Sequence, residues 1–215
     1  MARGLTKVGI VRAAIDLLDE AGLEGLTLRA VASRLGVKAP ALYWHLSSKQ
    51  DLLDEMGTVI WRQIQAELAL LPSDLPWAEA MTTFANITRR TLLAHRDGAN
   101  VFTGTYLTDK GVLESQEVRI ARMMQQGFSL AEVVRGSALL YNFTIGFCIE
   151  EQAVAQAFAS GDDRYSLRRR EARLDRSTHP LAVGAGPEIF GDTERRFAEM
   201  VALIVDATGR MRGSG

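Results

Sequence analysis

The chain is short of the residues that build several kinds of site. Of its 215 residues one is cysteine, Cys148, so no disulfide can close within it. Its apolar surroundings in "NFTIGFCIEE" lead to the expectation of a buried, inert thiol. The three histidines, His45, His95 and His179, belong to no HExxH pair or cysteine–histidine cluster, so neither a metal nor another cofactor is expected. A glycine-rich phosphate loop and a G-x-S-x-G nucleophile turn are also missing. The adjacent carboxylates Glu150 and Glu151 would point about 100° apart on a helix, so they are not a facing acid/base pair. With no nucleophile, base and orienting group to assemble, an enzyme is not expected. No apolar run approaches the roughly 18 residues of a membrane span, and the opening "MARGLTKVGIVRAA" lacks a signal-peptide block. The expected location is the cytoplasm, without membrane contact. Alternating patterns long enough for a sheet are absent, as are internal repeats.

What is present reads as helix. With 47% hydrophobic and 24% charged residues, the chain has material for a sizeable core. Thr6 is placed to cap a first helix whose Val8, Val11, Ile15 and Leu18 step by three and four until Gly22. Thr27 caps a second, with Leu28, Val31, Ala32 and Leu35 on one face and Gly36 as the turn residue. Pro40 suits the first position of a third helix, and Ser48 with Asp51 opens a fourth that runs past Trp61 and Leu68 to Pro72. Beyond Pro72 the helices lengthen. One runs from Pro76 to the "HRDG" corner, where His95 is read as bonding the last carbonyls. A looser "ANVFTGTYLT" follows, then a helix closing at Gly127. A capping box at Ser129 and Glu132 starts a long apolar helix to about Phe158. Residues 161–187 read as a mobile loop with at most one helical turn, and a last helix, about 188–208, carries Phe197, Met200, Val201 and Ile204 on one stripe.

Net charge is −1, but it is unevenly spread: the first fifty residues carry seven basic and four acidic side chains, a net of +3, leaving −4 for the rest. Two short helices separated by "LGVK" read as a helix-turn-helix, in which small Ala32 permits close packing and Gly36 accepts the positive φ of the turn. Such a motif presents its third helix to the DNA major groove. Arg29, Lys38, Ala39, Pro40, Ala41, Tyr43, Trp44, His45 and Lys49 are the candidate contacts: Arg29 for a guanine edge, Lys49 for a phosphate, Trp44 either facing inward or bracing the backbone. A short aromatic helix that simply plugs a helical core is the alternative.

The stretch "GLEGLTLRAVASRLGVKAPALYWHLSSKQDLLD" resembles the DNA-binding domain of the tetracycline-repressor (TetR) family, and the likeness continues through "LLAHRDGANVFTGT", "QQGFSL" and "NFTIGFCIEEQ", covering about residues 5–152. The resemblance implies an all-α protein: an N-terminal three-helix DNA-binding domain joined to a larger helical ligand-binding and dimerisation domain. It divides the chain into residues 1–48, a connecting helix 49–70, and a body 71–215. It further implies a homodimeric repressor of a double-stranded operator, released by a small-molecule inducer. Ala39 and Ala41 replace longer polar side chains of the family, so the operator is expected to differ from the tetracycline operators.

In members that bind magnesium–tetracycline, a histidine after the "HRDGA" corner ligates the metal; here that position is Phe102, which cannot coordinate a hard cation. Gln65, Phe84, Thr88 and Asn142 also depart from the drug-binding residues, while Thr105 and Glu150 match them. With Phe84, Phe102, Tyr106 and Phe143 as candidate walls, the resemblance points to a largely hydrophobic inducer without metal. Each aromatic, taken alone, fits ordinary core packing better; their coincidence with the family's pocket positions is what favours a site. A second class of reading is a helical small-molecule-binding protein whose N-terminal module makes protein contacts.

Overall fold

The computed structural model of the chain describes residues 5–213; Arg3, one of the basic residues counted above, lies outside them. Eleven α-helices and one 3-10 turn make up the described residues, with no strand among them.

The N-terminal unit follows its capping residues. Thr6 accepts the Gly9 N–H to start α1 (Lys7–Gly25), which breaks at Gly22, where φ is 73°. Thr27 accepts the Ala30 N–H to start α2 (Leu28–Arg34). That helix ends in a Schellman turn: Val37 N–H donates to Ala32 O at 3.0 Å and Gly36 N–H to Ser33 O at 3.1 Å. Gly36 sits at φ 68° to allow it, where a Cβ would strain the backbone. The third helix is a six-residue 3-10 turn, Ala39–Trp44, with only Leu42 fully buried. Ser48 accepts from Asp51 N–H to open α3 (Lys49–Leu68), and the Asp51 carboxylate returns to the Ser47 N–H at 2.8 Å.

The body consists of α4 (Trp77–Leu93), α5 (Gly98–Phe102), α6 (Lys110–Gln125), α7 (Leu130–Ala159), α8 (Leu167–Glu171), α9 (Pro180–Gly184), α10 (Gly186–Phe190) and α11 (Thr193–Met211). The capping box at Ser129 and Glu132 is formed in both directions. Helix α7 packs against α4, α5, α6 and α11, while α3 packs against α1, α4, α5 and α6. Two apolar clusters result. One runs without a break from Ile10 and Leu18 of α1 through Leu52, Met56, Ile60 and Trp61 of α3 to Phe102 and Cys148. The other joins Met81, Phe128, Leu140, Phe197 and Val201, with Phe84 touching both.

Three expectations need correction. The looser "ANVFTGTYLT" begins as helix α5, because Gly98 lets the chain turn tightly against Leu92 O and Gln152 Oε1 accepts the Ala99 N–H. Residues 161–187 contain short helices, and their arginines are tied locally: Arg168 and Arg169 to Asp163, Arg176 to Glu171, and Arg170 to the Ala182 carbonyl. The last helix begins at Thr193, since Gly191 ends the preceding turn and Asp192 caps the next helix; Met200 is exposed and Thr208 takes the buried position.

Candidate DNA-binding surface and ligand site

The Ala39–Trp44 turn stands on Val31, Ala32, Leu42 and Leu46, all buried, so its remaining side chains point outward. Arg29, Lys38, Pro40, Tyr43, Trp44, His45 and Lys49 are exposed, and Ala39 and Ala41 are half-buried. Trp44 is 89% exposed, which removes the inward option. The charges around this turn divide by partner. Arg34 is held by a two-pronged pair to Glu20 at 2.6 and 2.7 Å, and Lys7 pairs with Glu55. Arg29, Lys38 and Lys49 form no ion pair among the described residues, which leaves three cations available to an anionic partner.

A polar latch fixes this unit on the body. Asp97, the one non-glycine residue at positive φ among those described, accepts the Leu23 N–H through one carboxylate oxygen and the Gln156 amide through the other. Asp19 accepts the Arg96 N–H and lies 3.1 Å from His95 Nδ1, and the Arg96 guanidinium donates to the Glu20 carbonyl. The His95 ring therefore meets Asp19 and Gln63, not the helix-end carbonyls expected of it.

The residues assigned to a ligand site separate into those that converge and those that do not. Phe102 is buried at a ring-centroid distance of 5.4 Å from Trp61, which meets Phe84 edge-on at 6.1 Å. Thr88, one turn along α4 from Phe84, is fully buried and its Oγ1 has no hydrogen-bond partner; Trp61 Nε1 is likewise unpaired. Gln65 donates to Ser115 Oγ and to the Val112 carbonyl. Thr105 lies against Gly57 on α3 and donates to the Val101 carbonyl. By contrast, Tyr106 is 75% exposed because its backbone N–H is drawn to Asp54, and it is not a wall of this cluster. Phe143 stacks with Phe147 and Phe197 in the second apolar cluster. Asn142 and Glu150 are exposed on this chain, whereas Glu151 is bound to Arg89 together with Glu194.

Three members of the converging cluster went unassigned from sequence. Trp61 is its central ring, and Tyr141 lies 6.1 Å from Phe102. Arg119 of α6 places its guanidinium 5.8 Å from the Trp61 ring and donates to Ser115 Oγ at 3.1 Å, and burial pulls its pKa down. Lys and Arg on amphipathic helices normally reach solvent, so the sequence carried no signal for Arg119. Open clefts lie elsewhere, one of about 600 Å³ beside Asp74, Glu117 and Arg122 and one of about 450 Å³ between Trp77 and α11. Both are surface grooves lacking the buried polar atoms of the Trp61 cluster. Cys148 is buried, and burial pushes its thiol up to about 12, well away from reactivity at neutral pH.

Comparison with known proteins bears on both surfaces. Residues 10–56 match the family described as bacterial regulatory proteins, tetR family, and residues 71–208 match the tetracyclin repressor-like C-terminal domain. The chain belongs to the TetR family. This makes it a helix-turn-helix transcriptional repressor with a ligand-binding helical body. It is 36% identical over 205 residues to the tetracycline repressor protein class A from transposon 1721 of Escherichia coli, covering 94% of this chain and 90% of that one. A possible TetR family transcriptional regulator from Streptomyces coelicolor A3(2) has a fold matching at a TM-score of 0.84, with 31% identity over 96% of this chain and all of that one. ActR of Streptomyces coelicolor in complex with actinorhodin matches at a TM-score of 0.80 with 25% identity, covering 99% of each chain. These TetR relatives are regulators, not enzymes. No helix among the described residues is long and apolar enough to cross a membrane, and no group of potential metal ligands gathers among them.

Proposed function

We propose that the protein is a homodimeric repressor whose 3-10 turn and flanking residues bind a palindromic operator, and which a largely hydrophobic inducer, without magnesium, releases. The observation that carries this is the exposed surface of Arg29, Lys38, Tyr43, His45 and Lys49, free of internal ion pairs, on a unit whose core continues into the ligand cluster. Arg29 reads a base edge, Lys38 and Lys49 meet phosphates, and Tyr43 with Pro40 and the Ala39 and Ala41 methyls packs on the groove wall. Trp44 braces the DNA backbone from outside.

Phe102 supports an inducer without metal, because a phenyl ring offers a cation no donor. The Trp61, Phe84, Phe102 and Tyr141 rings suit a flat aromatic body and must part to admit it. For dimerisation the support is the apolar surface on the two packed helices: Leu130, Val134, Leu139 and Phe158 on α7 and Leu203 on α11 are exposed on the single chain.

Helix α3 is the lever. Its N-terminal end packs in the DNA-binding unit, and a strap of residues 105–112 crosses its length. The strap bonds are Tyr106 N–H to Asp54, Thr108 N–H to Thr58, and Arg62 to Asp109 at 2.6 Å, with Gln65 reaching Val112 and Ser115. A ligand that moves Phe102 or Gln65 moves the strap, hence α3, hence the spacing of two recognition turns that must sit about 34 Å apart. A coupling of about 1–3 kcal/mol between the sites is the usual range for such devices.

Selection of binding sequences from random DNA by the purified protein tests the proposal. The expected result is enrichment of a palindrome with half-sites about one helical turn apart. Recovery of no common sequence would count against it and in favour of an N-terminal unit that contacts protein.

A further inference from the structure

The donors and acceptors of the Trp61 cluster do not balance. Ser115 Oγ receives from both Gln65 and Arg119 and itself donates to the Val112 carbonyl, so these two acceptors are in use, and the unpaired Thr88 hydroxyl engages neither Trp61 nor Arg119. Trp61 Nε1, a donor only, has no partner, and the five N–H groups of Arg119 find one acceptor, Ser115. The other enclosed arginine of the body is matched: Arg89 holds Glu151 and Glu194. Arg62, on α3 beside the cluster, is matched to Asp109. Arg119 meets no carboxylate among the described residues, and its charge is lodged against an aromatic face where desolvation is costly.

A site with surplus donors and one uncompensated positive charge is complementary to an acceptor-only group of single negative charge. An ionised carboxylate is such a group, and its two oxygens match the planar fork of a guanidinium. Among the described residues no second free cation lies in the cluster: Arg122, three positions on from Arg119, lines the outer cleft with Asp74 and Glu117. A doubly charged phosphate would therefore remain half-neutralised among the rings.

We infer that the inducer is an aromatic carboxylic acid whose carboxylate pairs with Arg119 while its ring system lies among Trp61, Phe84, Phe102 and Tyr141. This rests on the proposed ligand site at that cluster and adds the chemical class of its occupant. Arg119 then selects between ligands as well as binding them, because a neutral analogue leaves its charge buried without a partner.

The test is calorimetric titration of the full chain with fused-ring aromatic carboxylates, each beside its own carboxamide, anthraquinone-2-carboxylate among them. Wild type is expected to favour acid over amide by about tenfold or more, the range of a charge-assisted bond. Arg119→Gln should erase that preference and Arg119→Lys retain part of it, with the selected operator DNA held as tightly as in wild type, which also certifies folding. Amides binding as well as acids to wild type, or a preference that survives in Arg119→Gln, would overturn the inference and leave the aromatic site standing. If neither acids nor amides bind, the site reading itself fails, and the inference with it.

Discussion

Arg29 on α2 and Tyr43 on the 3-10 turn are both exposed, and neither supports the core. Replacing either with alanine should leave the thermal unfolding midpoint within about 2 °C, as for other surface substitutions. Operator affinity should meanwhile fall by about tenfold or more per residue, measured by fluorescence anisotropy. Thr88 makes the opposite prediction. Its hydroxyl is fully buried without a partner, so Thr88→Val should raise stability, by up to about 1 kcal/mol in a denaturant titration. If the hydroxyl serves the inducer, the same variant should respond less to it. The sequence disclosed these positions unequally. Exposure of Lys38, His45 and Lys49 was legible, because capping residues and Gly36 dictate which way a short turn faces. Arg119 and Trp61 were not, since a spacing pattern reports the face of a helix and not what the neighbouring helix places opposite.

At the level of elements, α3 and the 105–112 strap form one mechanical unit. Gly57 is the closest approach between them: a methyl there would come within 2.9 Å of Thr105 Cβ and overlap the rest of that side chain. Gly57→Ala should therefore shift the strap, lower stability by about 1–3 kcal/mol as overpacking does, and change inducer response more than operator affinity in the uninduced state. Equal loss of both would mean that α3 only supports the fold. The helices themselves were written locally. Thr6, Thr27, Ser48 and Ser129 each accept a backbone N–H at the start expected of them. The misread stretches have two causes: Gln152, distant in sequence, completes the start of α5, and the short helices after α7 are held by local pairs of arginine with Asp163 and Glu171 that leave no hydrophobic period to read.

For the whole molecule, Arg89 ties three long helices together, donating to the carboxylates of Glu151 on α7 and Glu194 on α11 while its guanidinium lies 4.8 Å from the Phe197 ring. Hydrogen bonds from Arg89 hold the Glu194 carboxyl below its ordinary value of 4.5. A carboxyl lowered in the folded state contributes its full stabilisation above the unfolded value and loses it as pH falls through the folded one. The melting temperature should then be insensitive to this pair from pH 7 to about 5 and decline below 4.5, more steeply in wild type than in Glu194→Gln. The two-part plan of the molecule was legible from charge asymmetry and turn chemistry. The continuity of its core across the two parts, from Ile10 to Phe102, was not, because it arises from α3 passing through both. That continuity is what would let a ligand in the body act on DNA contacts. The most direct check of the repressor reading is binding of the selected operator across 50 to 200 mM salt, beside an Arg29→Ala, Tyr43→Ala double variant. With about six phosphate contacts in the proposed dimer, affinity should fall by roughly a thousandfold over that range, and the double variant should bind far more weakly at every salt concentration. Binding that ignores salt, or that survives the double substitution, would contradict the account.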